Sequence, residues 1–310
     1  MKLGKSSLHR VVLADGEVAV TFLNYGAITR DWTIAEVPMV RRLNHDEDYL
    51  TDDTFTGIIA GRIANRTANG RFATEGKTYQ LSQNDGANHL HGGTNGLGRR
   101  FWSSEPDGPK ATRLSYHSPD GEEGYPGAVD FQVDIRLSGH RLTYDMRATP
   151  DRPTPINMAQ HNYYTLGGQG PIWGQNLWVN ADRYTPVNAA GLPLGDISPV
   201  DGSGLDFRRA RPLNHTDSKL DTNVLFPEAR NEENPVAQLS GHGYTLQMWS
   251  NQPGAQLYSG GHLPEANTGF CIEPQAPPDA VNQPQFPSIF ATPDQPYRQI
   301  LHVDIRREFR

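Results

Sequence analysis

The sequence predicts an all-β fold, and three observations support this class. The clearest is the segment Val129–Ala148, in which apolar and polar residues alternate on both sides of the turn Ser138-Gly139-His140. Such alternation is typical of an antiparallel hairpin with one buried face. Gly (31) and Pro (24) are frequent among the 310 residues, as expected for many turns between short strands. No long window has a helical period, which favours a large antiparallel β-sandwich over alternating strands and helices.

Weaker alternation predicts further strands, and turn dipeptides such as Asp15-Gly16 and Asp120-Gly121 separate them. Two Pro/Gly/Asn-rich stretches, Pro186–Gly204 and Gln275–Pro296, also carry aromatic or aliphatic residues, so we expect packed loops there rather than linkers. One domain over residues 1–310 follows from this reasoning. The additional predicted strands are Leu8–Leu13, Val18–Phe22, Thr78–Leu81, Thr112–His117, Ala255–Ser259 and Gln299–Ile305.

Composition and charge exclude several classes of partner. The formal net charge is −7 and no run of five like charges occurs, which argues against binding nucleic acid or an anionic membrane. No apolar window is long enough to span a bilayer. The N-terminal segment lacks the apolar core of a secretory signal, so we expect a cytoplasmic protein. The single cysteine, Cys271, lies in the apolar run Gly269–Ile272 and is predicted to be a buried structural thiol.

Polar residues concentrate in three clusters beside glycine and aromatic residues. Common catalytic signatures, including the phosphate-binding glycine loops, the G-x-S-x-G elbow and the H-E-x-x-H zinc motif, do not occur. The clusters comprise Gly61–Arg66 with Asn84–Gly93, then Pro155–Tyr164, and then Phe270–Gln275 with its continuation to Pro284. Their residue types suit hydrogen bonding to a polar ligand, but composition cannot place them in one pocket.

Five polar segments follow one another along the chain: Gly61–Arg66, Leu90–Gly93, Glu122–Gly127, Gln160–Tyr163 and Ile272–Gln283. In their order and rough spacing they resemble the aldose 1-epimerase (galactose mutarotase) family over roughly residues 20–305. The resemblance implies the large antiparallel β-sandwich of the galactose mutarotase type. It also implies interconversion of the α and β anomers of a free aldose such as galactose or glucose, with a monosaccharide as the small-molecule partner and no metal or other cofactor. Whether the protein is a monomer or a homodimer stays open.

The same resemblance assigns roles to individual residues. Glu273 matches the general base, His161 the general acid, and His91 the second histidine near the ring oxygen. Anomerisation requires one base and one acid on opposite sides of the reacting centre. A carboxylate near His161 would hold the imidazole charged, whereas burial would raise the pKa of the carboxylate. The remaining positions are expected to bind the sugar: Asn65, Arg66, Asp221, Gln256 and Tyr163.

Simpler structural roles compete with these assignments. His161 could be a hydrogen-bonded core histidine, Glu273 a surface carboxylate at a strand end, and Asp221 a loop cap. Arg66 could pair with a buried acid, and Arg62 is expected to be structural. His89 and His91 lie two residues apart, a spacing that could serve a metal, but no third ligand is evident.

Three other functions remain open beside anomer interconversion. They are a sugar-binding sensor without turnover, a hexose-6-phosphate 1-epimerase, and a lyase or hydrolase on a similar sandwich. A hexose-6-phosphate epimerase would need extra Arg or Lys at the pocket mouth to bind the phosphate. A glycoside hydrolase requires two carboxylates that flank the scissile bond. Gln160, Asn162 and Thr222 depart from the family pattern and leave the preferred sugar open.

Overall fold

The computed structural model describes residues 7–231 and 233–308. The expected absence of an export signal concerns the first residues, and residues 1–6 lie outside this description. The longest helix in the described part is the five-residue 3₁₀ turn Asp46–Leu50. None of the helices there has the length and apolar character needed to cross a bilayer. The other 3₁₀ turns are Ala68–Gly70, Leu97–Arg99, Gly108–Lys110, Glu122–Gly124, His215–Asp217 and Ala280–Asn282.

Strands make up the regular structure and are short. The named strands of the described residues are β1 (Arg10–Asp15), β2 (Val18–Leu23), β3 (Thr29–Ile34), β4 (Val37–Pro38), β5 (Ile59–Ala60), β6 (Arg66–Thr67), β7 (Arg71–Thr74), β8 (Lys77–Gln80), β9 (His89–Leu90), β10 (Ser103–Pro106), β11 (Ala111–Ser118), β12 (Val129–Ser138), β13 (Arg141–Pro150), β14 (Thr154–Pro155), β15 (Ala159–Gln160), β16 (Asn176–Val179), β17 (Arg183–Tyr184), β18 (Ser198–Pro199), β19 (Arg211–Pro212), β20 (Asp221–Leu225), β21 (Ala237–Gly241), β22 (Tyr244–Ser250), β23 (Gly254–Tyr258), β24 (Cys271–Gln275), β25 (Phe290–Ala291) and β26 (Tyr297–Arg307).

Three antiparallel sheets form the body of the molecule. The largest has nine strands in the order β10-β11-β12-β13-β26-β22-β21-β16-β19. A four-stranded sheet, β1-β2-β3-β4, and a five-stranded sheet, β18-β17-β20-β23-β24, complete the set. One apolar core cluster joins side chains of all three sheets, for example Phe131, Trp32 and Leu257. The predicted all-β class with antiparallel sheets is therefore confirmed.

The predicted hairpin is the central feature of the largest sheet. β12 and β13 pair from Val129 with Pro150 to Ser138 with Arg141, and Gly139-His140 forms the turn. Gly139 has a φ of 56°, which a two-residue hairpin turn favours. Burial alternates along both strands, so the predicted face lies against the core. Each of the six weaker predicted strands is also present, with ends shifted by at most a few residues.

The two long stretches outside the strands behave differently. In Gln275–Pro296 the side chains of Ala276, Phe286 and Ile289 are buried, as predicted for a packed loop. Pro186–Gly204 instead lies mostly at the surface, with Leu194 61% exposed. Cys271 is buried and unpaired, in agreement with its predicted structural setting.

The five-stranded sheet has two faces of opposite character. Its strands β20, β23 and β24 pair in register, so that Asn223, Gln256 and Glu273 lie side by side on one rung. The face that carries this rung is polar, whereas Val224, Leu257 and their neighbours on the other face belong to the apolar core. The sheet thus holds a row of polar side chains above a rigid apolar layer.

Arg62 holds together the loop system beside this sheet. Its side chain is buried, and the guanidinium donates six hydrogen bonds to the hydroxyl or carbonyl oxygens of Ser118, Pro119, Pro126 and Gly127. It forms no ion pair with a carboxylate of the described residues. Burial lowers the pKa of Arg62, and nearby acidic and phenolic groups oppose this effect. The structural role predicted for Arg62 agrees with this arrangement.

We expect Arg62→Met to lower the free energy of unfolding by about 3 kcal/mol or more, because it leaves several buried carbonyl oxygens without donors. Urea unfolding followed by fluorescence measures the loss. Arg113→Met is the matched control, since Arg113 forms an exposed ion pair with Asp134 worth at most about 1 kcal/mol. Equal effects of the two substitutions would contradict the structural role of Arg62.

Candidate active site

A cavity of about 350 Å³ opens above the polar face of the five-stranded sheet. This volume lies at the small end of the range for small-molecule sites. The cavity brings together all eight residues that the sequence predicted for the site. Its lining consists of Asp53, Thr54, Phe55, Asn65, Arg66, Asp85, Leu90, His91, His161, Tyr163, Asp221, Gln256, Tyr258, His262 and Glu273.

Glu273 lies at the centre of β24 and is 1% exposed, which is unlike a surface carboxylate at a strand end. The preceding residue, Ile272, belongs to the apolar core, so the strand period turns Glu273 to the opposite face, where it lines the cavity. The Oε2 atom has no hydrogen-bond partner among the described residues. A buried acceptor without a partner is unusual, and it leaves this oxygen available to a ligand.

His161 faces Glu273 across the cavity floor, with 3.5 Å between His161 Nε2 and Glu273 Oε1. Its main chain is fixed on both sides, because His161 N donates to Ile58 O and Gly57 N donates to His161 O. The Nδ1 atom lies 3.7 Å from Cys271 Sγ. The imidazole therefore presents Nε2 to the carboxyl and to the cavity.

Burial dominates the protonation of this pair. It raises the pKa of Glu273, and the negative charge of Asp221 adds to the rise. It lowers the pKa of His161 to about 4, against smaller raising contributions from its own main chain and from Asp221. The rise for the carboxyl agrees with the sequence-based expectation. The expectation that a carboxylate would keep His161 charged is wrong, because desolvation of the imidazolium outweighs the attraction and lowers the pKa.

His91 lies next to His161, with 5.2 Å between the ring centroids. Its Nδ1 accepts a hydrogen bond of 3.2 Å from Asn65 N. Burial lowers the pKa of His91, and the positive character of His161 and Arg66 lowers it further. Gly92 has a φ of 88°, and a Cβ there would overlap the carbonyl oxygen of Gly61. Gly92 therefore allows the two protein segments to approach closely next to His91.

His89 has a different environment and does not line the cavity. Its ring nitrogens contact Ser82 O at 2.7 Å and Tyr125 Oη at 2.5 Å, as a hydrogen-bonded core histidine would. His89 and His91 thus form no common metal site. The ligand atoms of His161, Cys271 and Glu273 lie within 4.8 Å of one another. Cys271 is buried and unpaired, and burial raises the pKa of its thiol.

Arg66 organises the opposite wall of the cavity. Its Nε donates to Asp85 Oδ2 at 2.8 Å, and its Nη1 lies 3.6 Å from Asp221 Oδ2. Asp221 Oδ1 in turn accepts a hydrogen bond of 2.6 Å from Gln256 Nε2. These four side chains form a chain of donors and acceptors, which suits recognition of sugar hydroxyl groups. Thr222 lies on the other face of β20 from Asp221 and does not line the cavity.

Tyr163 contributes its ring rather than its hydroxyl group. The ring centroid lies 5.0 Å from that of His161, while Tyr163 Oη donates to the main-chain oxygen of Thr54. Gln160 and Asn162, which depart from the family pattern, are buried beside His161. A hydrogen bond from Asn162 N to Gln160 Oε1 joins them, and neither lines the cavity.

Sequence reasoning missed several residues of the lining. Asp85 stands in the first polar cluster, next to Gly86, so its proximity to Arg66 could have been suspected. Phe55, Tyr258 and His262 follow no recognisable pattern, because loop and strand-end positions bring them to the cavity. Tyr258 lies opposite Asp221 on the neighbouring strand, and burial raises its pKa to about 12.

Glu273→Gln is expected to stabilise the fold, because it removes the unfavourable burial of an ionisable carboxyl group. The pKa of Glu273 is higher in the folded state than the ordinary value of about 4.3. Above that value the unfolded chain releases its proton while the folded chain retains it, so wild-type stability falls as the pH rises. The gain in the free energy of unfolding should reach roughly 1–3 kcal/mol at pH 7.5.

Urea unfolding of both proteins between pH 4 and pH 7.5 tests this prediction. The difference between the variant and the wild type should grow with pH. The exposed substitution Glu105→Gln serves as the matched control and should change stability by no more than about 0.5 kcal/mol. A Glu273→Gln variant that is less stable at every pH would contradict the stated protonation of the buried carboxyl.

Comparisons with known proteins show the family to which the chain belongs. The family model described as aldose 1-epimerase matches residues 9–304. A galactose mutarotase from Rattus norvegicus is 37% identical over 81% of this chain and 79% of its own length. An aldose 1-epimerase from Escherichia coli K12 is 30% identical over 82% of this chain and 81% of its own length.

Solved structures give the same result for the fold. The crystal structure of a galactose 1-epimerase from Lactobacillus acidophilus NCFM superposes with a TM-score of 0.89 at 28% identity, covering all of this chain and 97% of the other. An aldose epimerase homologue from C. elegans superposes with a TM-score of 0.93 at 24% identity, covering 98% of this chain and 100% of the other. The fold is therefore the β-sandwich of galactose mutarotases. On the evidence of its sequence and its architecture, the chain belongs to the aldose 1-epimerase family.

Proposed function

We propose that this cavity interconverts the α and β anomers of a free aldose, with Glu273 and His161 as the proton-transferring pair. The observation that carries this proposal is the 3.5 Å approach of His161 Nε2 to Glu273 Oε1 in a cavity lined by hydrogen-bonding side chains. One base and one acid are sufficient for opening a hemiacetal ring. Membership of the aldose 1-epimerase family supports the same reaction.

The pair carries one proton in the proposed active form. Burial favours the neutral partners, protonated Glu273 and unprotonated His161. Transfer of that proton to His161 gives a carboxylate and an imidazolium without any change in net charge, and the two forms titrate as a unit. A bound sugar would add polar groups next to this buried pair, which lowers the cost of the charged form.

The reaction then proceeds by two balanced proton transfers. The Glu273 carboxylate removes the proton of the C1 hydroxyl group, while His161 Nε2 gives its proton to the ring oxygen, and the C1–O5 bond breaks. Rotation about C1–C2 exposes the other face of the aldehyde. The C5 hydroxyl oxygen then attacks C1, returns its proton to His161, and the new C1 hydroxyl group receives the proton held by Glu273.

The polar wall would hold the sugar during this rotation. Asn65, Arg66, Asp221 and Gln256 offer amide, guanidinium and carboxylate groups to the hydroxyl groups remote from C1. His91 lies beside His161, and we assign it to contact near the ring oxygen. The ring of Tyr163 would pack against an apolar part of the sugar. Rigid placement of the pyranose matters because misplacement by an ångström slows proton transfer strongly.

The charge distribution favours a neutral sugar over a sugar phosphate. Three carboxylates, of Asp53, Asp85 and Asp221, line the cavity with Glu273, whereas Arg66 is the arginine among the lining residues and is already engaged by Asp85. A phosphate group needs unengaged Arg or Lys donors. A sensor without turnover would not require a buried carboxyl opposite an imidazole. We further propose a single-domain, cytoplasmic enzyme, and the choice between monomer and homodimer stays open.

Glu273→Gln and His161→Asn should each reduce the anomerisation rate by a factor of about 10²–10⁴, the usual contribution of one acid or base. Polarimetry on freshly dissolved α-D-galactose and α-D-glucose, corrected for the spontaneous reaction, measures this loss. The same substitutions at exposed positions, Glu105→Gln and His117→Asn, are the matched controls and should keep the wild-type rate. If Glu273→Gln and His161→Asn both keep that rate, the proposed mechanism is wrong.

The pH dependence of kcat/KM should report how many protons Glu273 and His161 together bind. Below about pH 4, His161 binds a second proton, and no base remains. Above the raised pKa of Glu273 the pair loses its proton, and no acid remains. We therefore expect a plateau that extends down to about pH 4, measured by polarimetry across the pH range. A decline that begins near pH 6.5, where ordinary histidines titrate, would show that His161 is not kept neutral.

A further inference from the structure

The segment Asp52–Thr56 forms a wall of the cavity and is shaped by one carboxylate. Asp52 Oδ1 accepts hydrogen bonds from Thr54 N at 3.1 Å and from Thr54 Oγ1 at 2.6 Å. Asp52 Oδ2 accepts a further bond of 2.8 Å from Thr56 N. Tyr163 Oη donates to Thr54 O at 2.7 Å, which ties the segment to the residue two positions after His161. The wall is thus fixed by side chains rather than by a strand ladder.

Phe55 occupies the one position of this segment whose backbone disfavours a bulky residue. Its φ is 58°, in the left-handed region that glycine and asparagine adopt most readily. A turn needed only for its shape would favour one of those residues at this position. A phenylalanine held there by the Asp52 carboxylate indicates that the aromatic ring itself has a use.

The ring of Phe55 lies beside both histidines of the cavity. Its centroid is 4.7 Å from that of His91 and 6.3 Å from that of His161. The guanidinium carbon of Arg99 lies 5.8 Å from the same ring. The side chain is only half-buried and belongs to the cavity lining. An aromatic surface is therefore available next to the groups that would transfer protons.

We propose that Phe55 is a sugar-contacting residue that packs its ring against the C–H face of the bound aldose, and that Asp52 positions it. This inference rests on the proposed function of the cavity. An aldopyranose has apolar C–H faces as well as hydroxyl groups, and aromatic rings bind such faces. The contact persists from the ground state to the transition state, so it contributes uniform binding and acts on KM rather than on kcat.

Steady-state kinetics of Phe55 variants test this contact. Phe55→Leu should raise the KM for galactose about tenfold and leave kcat within about twofold, whereas Phe55→Tyr should stay within about threefold in both. Phe101→Leu is the matched control, because Phe101 packs on the same apolar cluster but does not line the cavity. A Phe55→Leu variant with an unchanged KM and a strongly reduced kcat would overturn the proposal, since the ring would then only support the histidines.

The positioning role of Asp52 has its own test. Asp52→Ala should raise KM in the same direction as Phe55→Leu, because it removes the acceptors that fix the backbone of residue 55. The double variant should be no worse than Phe55→Leu alone, as expected for residues that act through one contact. Fully additive effects on the logarithm of KM would show that Asp52 does not act through Phe55.

A spectroscopic measurement distinguishes direct contact from indirect effects. In a Glu273→Gln background, galactose C–H protons should show an upfield ring-current shift on binding, unchanged in Phe55→Tyr and reduced in Phe55→Leu, where the ring of Tyr163 still contributes. An undiminished shift in Phe55→Leu would overturn the proposal. The outcome is separable from that of the proposed function: wild-type protein that binds galactose without accelerating anomerisation would overturn the function, whatever the shift.

Discussion

The burial of one carboxyl group, that of Glu273, is the constraint on which the site depends. The side chain is 1% exposed and one of its oxygens lacks a hydrogen-bond partner among the described residues. Such burial costs stability, and a protein retains it only where the group has a use. Every other feature of the cavity serves this group: the strand that holds it, the imidazole opposite it, and the polar wall that would orient a ligand toward it.

The β-sandwich makes this burial tolerable by fixing the polar groups in register. Pairing of β23 with β24 places Gln256 beside Glu273, and pairing of β20 with β23 places Asp221 one rung away. The opposite face of these strands packs into the common core, so the distances among the polar residues cannot relax by movement of the sheet. The loops add His161 and His91, and each is tied to its neighbours by main-chain hydrogen bonds. Rigid strands carry the carboxyl groups, while anchored loops carry the imidazoles.

Period-two patterning and family motifs predicted most of this arrangement, and the limits have physical causes. The hairpin Val129–Ala148 was predictable because both strands alternate around a glycine turn. Six of the eight residues expected to line the cavity lie in motifs that occur in order along the chain, whereas Asp221 and Gln256 lie outside those five segments. Strand register between β20, β23 and β24 could not be read from one sequence, and neither could the protonation of His161, because desolvation depends on the packed environment. Phe55 was not predicted, because its proposed role follows from a positive φ and from a loop contact with His91. Neither feature produces a periodic pattern in the sequence.

A shared proton also suits the symmetry of the reaction. An epimerase must open and close the ring from both anomers, so each anomer is substrate in one direction and product in the other. A pair with one proton and no net charge can hold that proton on Glu273 or on His161, and each arrangement is reached from the other by a single transfer over 3.5 Å. An additional carboxylate that kept His161 permanently charged would make the imidazolium a weaker acid. His161 would then take a proton from the C5 hydroxyl group more readily than it would give one to the ring oxygen. The neutral thiol of Cys271, 3.7 Å from His161 Nδ1, carries no charge that would raise the pKa of the imidazole. Burial thus makes the uncharged arrangement the resting form of the pair, and polar groups of a bound sugar would bring the charged arrangement closer in free energy, in the same way for either anomer.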